Sequence, residues 1–167
     1  IAQRFNHNFA EVFTLPEAVV DDSVAVLQGL DGRKMSKSYN NTIPLFEGEQ
    51  QLRKGINRIK TNLLEPGQPK DPDDSTVFQV WAAFASPDET ARMRREFENG
   101  IAWGEAKKQL FELVNGELAG ARERYQQLMD DPAHVENVLR QGAERAREYA
   151  IPLMAEVRAA IGIGPLR

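Results

Sequence analysis

The sequence contains no cysteine, and this absence excludes disulfide bonds, thiolate zinc sites and cysteine nucleophiles. The two histidines, His7 and His134, lie far apart, and nothing around them marks either one as a metal ligand. No apolar run is long enough to span a membrane. A GxxxxGK[ST] loop is also missing, which excludes a P-loop phosphate site. We therefore predict no metal site and no transmembrane segment.

Positive charges are outnumbered by negative charges, except in one segment. The chain has 21 Lys and Arg residues against 25 Asp and Glu residues, and its formal net charge of -4 excludes a wholly basic nucleic-acid binder. Residues 33–60 have the opposite sign, with seven bases against Glu47 and Glu49. Such a segment attracts a polyanion to one face of an otherwise negative protein. For Arg53, Lys54 and Arg58 the alternative is a solvated helix face.

The first 46 residues predict a short helix, a strand and a loop. Ile1, Phe5 and Phe9 are spaced as on one face of a helix that has no start signal, from which we expect a longer parent protein. The β-branched run Val24–Leu27 predicts one strand at the edge of a sheet. The polar residues 29–41, with glycines at 29 and 32, predict a flexible loop.

The rest of the chain predicts a bundle of about five helices. Ser75 or Thr76 is a candidate cap, and Ser86 begins a capping box with Glu89 three residues later. The last helix is expected to start near Asp131. Two apolar stripes predict core positions at Leu52, Ile56, Ile59 and Leu63, then at Leu110, Val114, Leu118, Ala121, Tyr125 and Leu128. The predicted fold is mainly α, with domains at 1–46 and 47–167.

The loop has the composition of a phosphate site. Lys34 and Lys37 flank serines, and two ammonium groups, two hydroxyls and free backbone N–H groups can surround a phosphate chain. Ammonium groups stabilise charge but transfer no proton at pH 7. This suits a reaction in which charge grows on a departing pyrophosphate, and it does not suit acyl or glycosyl chemistry.

Residues 34–38 read KMSKS, which matches the second signature of class I aminoacyl-tRNA synthetases. The flanking residues 29–32 and 39–43 resemble the bacterial tryptophanyl branch of that family. So do the opening residues 1–6, the residues 70–73 with 77–78, and the residues 142–144. The tyrosyl branch shares the loop and is the nearest alternative.

The HIGH-type signature and the Gly-x-Asp-Gln stretch of this family have no match here. The resemblance therefore implies the C-terminal portion of a tryptophan–tRNA ligase. Its fold would be a strand-and-loop remnant of a Rossmann-type catalytic domain followed by a helical anticodon-binding domain. We expect the portion alone to be inactive, since no tryptophan pocket can be assigned.

The resemblance also implies roles for single residues. Lys37 matches the lysine that stabilises the leaving pyrophosphate, and Lys34 matches an auxiliary phosphate contact. Met35 matches the residue beside the adenine of ATP, while Ser36 and Ser38 supply hydroxyl and backbone donors.

For tRNA, Lys107 and, less closely, Lys108 resemble the start of a helix where the family places a lysine against the anticodon. The implied partners are tRNA(Trp), ATP with Mg²⁺, and tryptophan, in a homodimeric, cytoplasmic, non-membrane enzyme.

Two alternatives remain open from the sequence. One is a tyrosyl-tRNA synthetase fragment, and the other is a helical RNA-binding module without chemistry. The intact KMSKS loop argues against the second, because a pure binder has no use for a pyrophosphate loop.

Overall fold

The computed structural model describes residues 1–20 and 26–164. These residues are mainly helical, as predicted, and contain no extended strand. The α-helices are α1 (Ala2–Asn8), α2 (Glu49–Asn57), α3 (Thr76–Phe84), α4 (Pro87–Glu98), α5 (Trp103–Asp130) and α6 (Pro132–Ala160). None of the helices in this described part has both the length and the apolar character needed to cross a membrane.

The predicted strand Val24–Leu27 is not confirmed. Val24 and Ala25 lie outside the described residues, and Val26 and Leu27 have no strand geometry. What is present next to them is an isolated antiparallel bridge between Gln28 and Lys34. A tight loop that turns back on itself provides hydrogen bonds for one such pair, and too few for a ladder.

The predicted helix starts are confirmed in three cases. Ser75 caps α3, where its hydroxyl accepts from the N–H of Phe78 at 3.3 Å. Ser86 and Glu89 form a reciprocal capping box at the start of α4. Asp131 caps α6, where its carboxylate accepts from the N–H of His134 at 3.0 Å. Short polar side chains satisfy the free N–H groups of a first helical turn, and this local rule made the starts predictable.

Residues 21–127 form one compact unit with a continuous apolar core. The core side chains come from the helices of this unit and from the turn after α2. They include Leu52, Ile56, Ile59, Val77, Val80, Trp81, Met93, Phe97, Leu110, Phe111 and Val114. Leu30 is also a member of this core, and it lies in the loop that carries the KMSKS residues.

Residues 1–20 and 128–164 are described parts of a second unit, whose helices bury little. Phe5 lies at the centre of a small aromatic cluster, with ring centroids 5.0 Å from Phe9 and 4.9 Å from Phe13. The helix α6 has no buried residue, and Leu139 is 63% exposed.

The predicted core stripes are partly wrong. Leu63 lies beyond the end of α2 and is 96% exposed, so the first stripe ends at Ile59. Along α5 full burial ends at Val114, Leu118 packs against the core while partly buried, and Tyr125 is 41% exposed. Helical spacing identifies an apolar face but not whether another element covers it, which is why the second stripe was extended too far.

Candidate functional site

The KMSKS residues sit on a tight reversal of the chain in the unit 21–127. The N–H of Gly29 donates to the carbonyl of Arg33 at 2.7 Å, and the N–H of Met35 donates to the carbonyl of Leu27 at 2.9 Å. These bonds fold residues 27–35 into a narrow loop whose tip contains Gly32, at a φ of +82°. The sharp turn brings the two flanks side by side and presents the signature residues after it.

The signature continues into a single turn of 3₁₀ helix, Lys37–Tyr39. Ser36 is its cap: the Ser36 hydroxyl accepts from the N–H of Ser38 at 3.3 Å and lies 2.7 Å from the Ser38 hydroxyl. The turn ends at Asn40, which adopts left-handed backbone angles. The two signature serines therefore shape the turn that carries Lys37.

The side chain of Asn41 stabilises this loop through three hydrogen bonds. Its side-chain oxygen accepts from the N–H of Ser36 at 2.8 Å, and its side-chain nitrogen donates to Asp31 at 2.7 Å and to the carbonyl of Lys34 at 3.2 Å. Asn41 is 2% exposed. One buried amide thus fixes both ends of the KMS segment.

The neighbouring glycine makes room for that amide. A Cβ atom at Gly29 would lie 2.4 Å from the side-chain Cγ of Asn41, which is closer than atoms can approach. The backbone of the loop therefore passes directly over the Asn41 side chain, and only glycine permits this distance.

Asp31 is the acidic group of the loop, and it is held by hydrogen bonds. The bond from Asn41, and then those from Arg33, lower the pKa of Asp31 to about 2. The Arg33 guanidinium is 2.6 Å from the carboxylate and also lies over the ring of Tyr39, 4.5 Å from its centroid. At neutral pH this acid is ionised and paired with Arg33, so it does not offset the charge of the signature lysines.

Lys34 and Lys37 are exposed. Neither forms an ion pair among the residues that the structure describes. Met35 and Ser36 are half-buried, and Ser38 is exposed. The structure therefore brings all five predicted phosphate-site residues together, with their backbone fixed and two ammonium groups facing solvent. Such an arrangement can bind a polyphosphate and stabilise charge that develops on it.

Two consecutive backbone hydrogen bonds join the loop to the segment after α2. The N–H of Leu30 donates to the carbonyl of Asn41 at 2.9 Å, and the N–H of Lys60 donates to the carbonyl of Leu30 at 2.9 Å. Thr76, at the start of α3, adds a side-chain bond of 2.6 Å to Gln28. The loop is thus anchored on the segment that follows α2.

That segment is in turn held by α5. The Lys107 ammonium donates to the carbonyls of Asn57 at 3.0 Å and Ile59 at 2.7 Å, and the indole N–H of Trp103 donates to the side-chain oxygen of Asn62 at 3.1 Å. Burial lowers the pKa of Lys107. A cation at the end of α2 satisfies free carbonyls and complements the helix dipole.

The two predicted anticodon lysines thus lie in different surroundings. Lys107 is half-buried and engaged with carbonyls, whereas Lys108 is exposed. Lys107 contacts the segment after α2, on which the signature loop is anchored, through the carbonyl of Ile59.

Asn41 and the carbonyl contacts of Lys107 were missed from the sequence. The polar stretch around Asn40 and Asn41 was visible, but nothing local distinguished a buried asparagine from its exposed neighbour. Gly29, twelve residues before Asn41, is the residue that makes room for the buried amide, but this relation becomes visible only in the folded loop.

The comparisons with known proteins agree with this geometry. The sequence model of the family described as tRNA synthetases class I (W and Y) matches residues 1–119. The chain is 53% identical over 167 residues to the tryptophan–tRNA ligase of Neisseria meningitidis, covering 100% of this chain and 50% of that protein. It is 54% identical over 170 residues to that of Pseudomonas aeruginosa, covering 100% of this chain and 38% of that protein.

A solved structure gives the same result. The tryptophanyl-tRNA synthetase of Campylobacter jejuni, crystallised with ADP and tryptophan, superposes with a TM-score of 0.78 at 38% identity, covering 96% of this chain and 51% of that one. The chain thus spans half or less of the length of these two curated relatives. The resemblance inferred from the signature is confirmed, and the chain belongs to the class I tRNA synthetases of the tryptophan and tyrosine family.

Proposed function

We propose that the complete protein is a tryptophan–tRNA ligase, which activates tryptophan with ATP and transfers it to tRNA(Trp). The observation that carries the proposal is the KMSKS loop, whose backbone is fixed by Asn41 while Lys34 and Lys37 remain exposed. The identity to ligases named for tryptophan favours that amino acid over tyrosine. It also favours an enzyme over a binding module without chemistry.

In the activation step a carboxylate oxygen of tryptophan attacks the α-phosphorus of ATP. A new P–O bond forms to the amino acid, and the bond to the bridging oxygen of pyrophosphate breaks. Negative charge grows on the departing pyrophosphate, and the Lys37 ammonium stabilises it, assisted by Lys34. The backbone beside Met35 contacts the adenine. The backbone N–H groups of Ser36 and Ser38 bond within the loop, contrary to the expectation that they are free, so one hydroxyl of this serine pair is left to donate to the phosphates. Mg²⁺ enters with ATP as part of the substrate.

We assign residues 1–46 to the end of the Rossmann-type catalytic domain and residues 47–167 to the anticodon-binding domain. The family model matches residues 1–119 and so covers all of the first part and most of the second. The proposal includes a homodimeric, cytoplasmic complete enzyme. It also includes an inactive isolated portion, since residues 1–167 contain no HIGH-type signature.

The activation step is tested by tryptophan-dependent pyrophosphate exchange in the full-length protein. One well-placed donor of this kind is worth about 3–4 kcal/mol in the transition state. We expect Lys37→Ala to slow exchange by about a hundred- to a thousandfold with little change in tryptophan affinity. Lys34→Ala should have a milder effect, and Lys37→Arg should restore part of the rate.

The exposed Arg95 on α4 provides the control, since Arg95→Ala removes a cation far along the chain from the loop. Exchange at the parental rate in Lys37→Ala would exclude the loop from the chemistry.

For tRNA we propose that the start of α5 contacts the anticodon, through Lys108 and the remaining N–H of Lys107. The exposure of Lys108 supports this. Binding of a tRNA(Trp) transcript and of an anticodon-substituted transcript tests it. Lys107→Ala and Lys108→Ala should each weaken binding, and an unchanged affinity ratio and salt dependence in both variants would refute the assignment.

A further inference from the structure

The positive charge at the end of α2 is larger than the charge that would complement the dipole of this helix. Its last turn contains Lys54, and Arg58 and Lys60 follow directly. A helix C-terminus carries about half a negative charge, and Lys107 already places one ammonium on its carbonyls. The dipole therefore does not account for Lys54, Arg58 and Lys60, which we call the surplus cations. All three are exposed, and none forms an ion pair among the described residues.

Arg53, on the same helix, shows the contrast. It forms an ion pair with Glu49 at 3.6 Å, and its guanidinium lies 3.7 Å from the ring centroid of Phe111. Arg53 thus has an evident role within the fold, and the three surplus cations have none.

The surplus cations line one open groove beside the signature loop, which we call the α2 groove. It consists of two adjoining cavities of about 300 and 290 Å³ that share Leu30, Asn40 and Arg58. Lys60 lines one cavity, and Lys54 lines the other. The acids of the groove are Asp31 and Glu47, and Asp31 is already paired with Arg33. Three cations therefore face one uncompensated acid. Neither Lys34 nor Lys37 lines this groove.

We propose that the α2 groove binds the phosphate backbone of RNA. Cations in both of two adjoining cavities fit a linear polyanion better than a single anion. This inference rests on the proposed function to the extent that it takes tRNA as the bound RNA.

The cations of the groove favour contacts to phosphates over contacts to bases. Its aromatic side chain is Tyr39, and the Arg33 guanidinium lies over one face of that ring. Lysine and arginine contacts to phosphates position a nucleic acid without reading its sequence. We therefore expect the groove to add affinity equally for cognate and non-cognate RNA. The adjacent signature loop sits on the same segment, through the bond between Lys60 and Leu30.

The experiment measures binding of two fluorescent RNAs, a tRNA(Trp) transcript and an unrelated hairpin, to residues 1–167 by anisotropy over a range of salt concentrations. The groove variant is Arg58→Ala with Lys60→Ala. The control is Arg92→Ala with Arg95→Ala on α4, which removes the same charge from exposed positions elsewhere. Thermal melts of all proteins establish that each variant is folded.

Each phosphate contact contributes about 0.7–0.9 to the slope of log affinity against log salt. Two lost contacts should therefore lower the slope by about 1.4–1.8, and at 0.1 M salt they should weaken binding by about 25- to 60-fold. We expect this loss for both RNAs in the groove variant and little change in the control. An equal loss in both variants, an unchanged slope in the groove variant, or no RNA binding by the parent chain at low salt would each overturn the proposal. Pyrophosphate exchange requires no RNA, so a failure of the proposed function would appear separately.

Discussion

Replacing Asn41 by alanine tests whether one buried amide fixes the KMSKS loop. The substitution removes three hydrogen bonds: from the N–H of Ser36, to the carboxylate of Asp31, and to the carbonyl of Lys34. The signature residues themselves are left unchanged. Any effect on the loop therefore arises from its support.

The expected magnitude follows from those bonds. The two bonds with neutral backbone groups, from the N–H of Ser36 and to the carbonyl of Lys34, contribute about 0.5–1.5 kcal/mol each, and the bond to ionised Asp31 adds to them. The two neutral bonds alone therefore stabilise the ordered loop over an open one by about 1–3 kcal/mol. Because the loop lies at the edge of the unit 21–127, most of this loss should appear as local opening.

Amide hydrogen exchange at Ser36 measures this opening directly. A loss of about 1–3 kcal/mol corresponds to about five- to 140-fold faster exchange, since each 1.4 kcal/mol is a factor of ten. The control is Asn99→Ala, because Asn99 is exposed at the end of α4 in the same unit. We expect this control to change stability by no more than about 0.5 kcal/mol.

Asn41→Asp tests the hydrogen-bond donors of the amide, because aspartate has nearly the same shape as asparagine but lacks its N–H groups. The aspartate can still accept from Ser36, but at neutral pH it faces the Asp31 carboxylate and cannot donate to Lys34. The repulsion raises the pKa of the introduced carboxyl, so the loop should regain order as the pH falls and that carboxyl becomes protonated. The reasoning is refuted if Ser36 exchanges at the parental rate in Asn41→Ala, or if Asn41→Asp is equally ordered at every pH.

Three further predictions concern the same unit. Gly29→Ala should destabilise it by about 1–3 kcal/mol in urea unfolding, because the added methyl overlaps Asn41, whereas Gly116→Ala, at an exposed position inside α5 with open space around it, should stabilise it by about 0.5–1 kcal/mol. Lys107→Met should lower stability by about 1–2 kcal/mol, because two carbonyls after α2 lose their donor, and an unchanged melting temperature would contradict that role. The Asp31 carboxyl should titrate with a midpoint of about 2 by NMR, so its stabilising effect is complete above its ordinary pKa of 3.8 and is lost as the pH falls toward 2. In Asn41→Ala the midpoint should rise toward 3.8, and an unchanged midpoint would assign the shift to other groups.

What the sequence predicted well depends on short-range rules. The KMSKS letters identified the loop, and the caps at Ser75, Ser86 and Asp131 identified helix starts, because each interaction closes within three residues. The mainly helical fold was predicted from the spacing of apolar residues at three and four positions along the chain. The strand at Val24–Leu27 was wrong for its described part, because a β-branched run becomes a strand only where a partner strand is present.

What the sequence missed depends on contacts between distant residues. Asn41 is fixed by residues up to twelve positions away, and Lys107 by carbonyls about fifty positions away. Neither partner can be read from local composition. The apolar face of α5 beyond Val114 was overestimated for the same reason, since whether a face is covered depends on elements elsewhere in the chain.

The bond between Trp103 and Asn62 gives the chain an intrinsic optical reporter. There are two tryptophans, and Trp81 is 4% exposed, with an indole N–H that has no partner in the described part of the chain. Its replacement by phenylalanine therefore sacrifices no hydrogen bond and leaves Trp103 as the only tryptophan fluorophore. The indole N–H of Trp103 is held two residues from Lys60, one of the cations of the α2 groove. Emission from that single indole then reports on the segment after α2 without any attached dye.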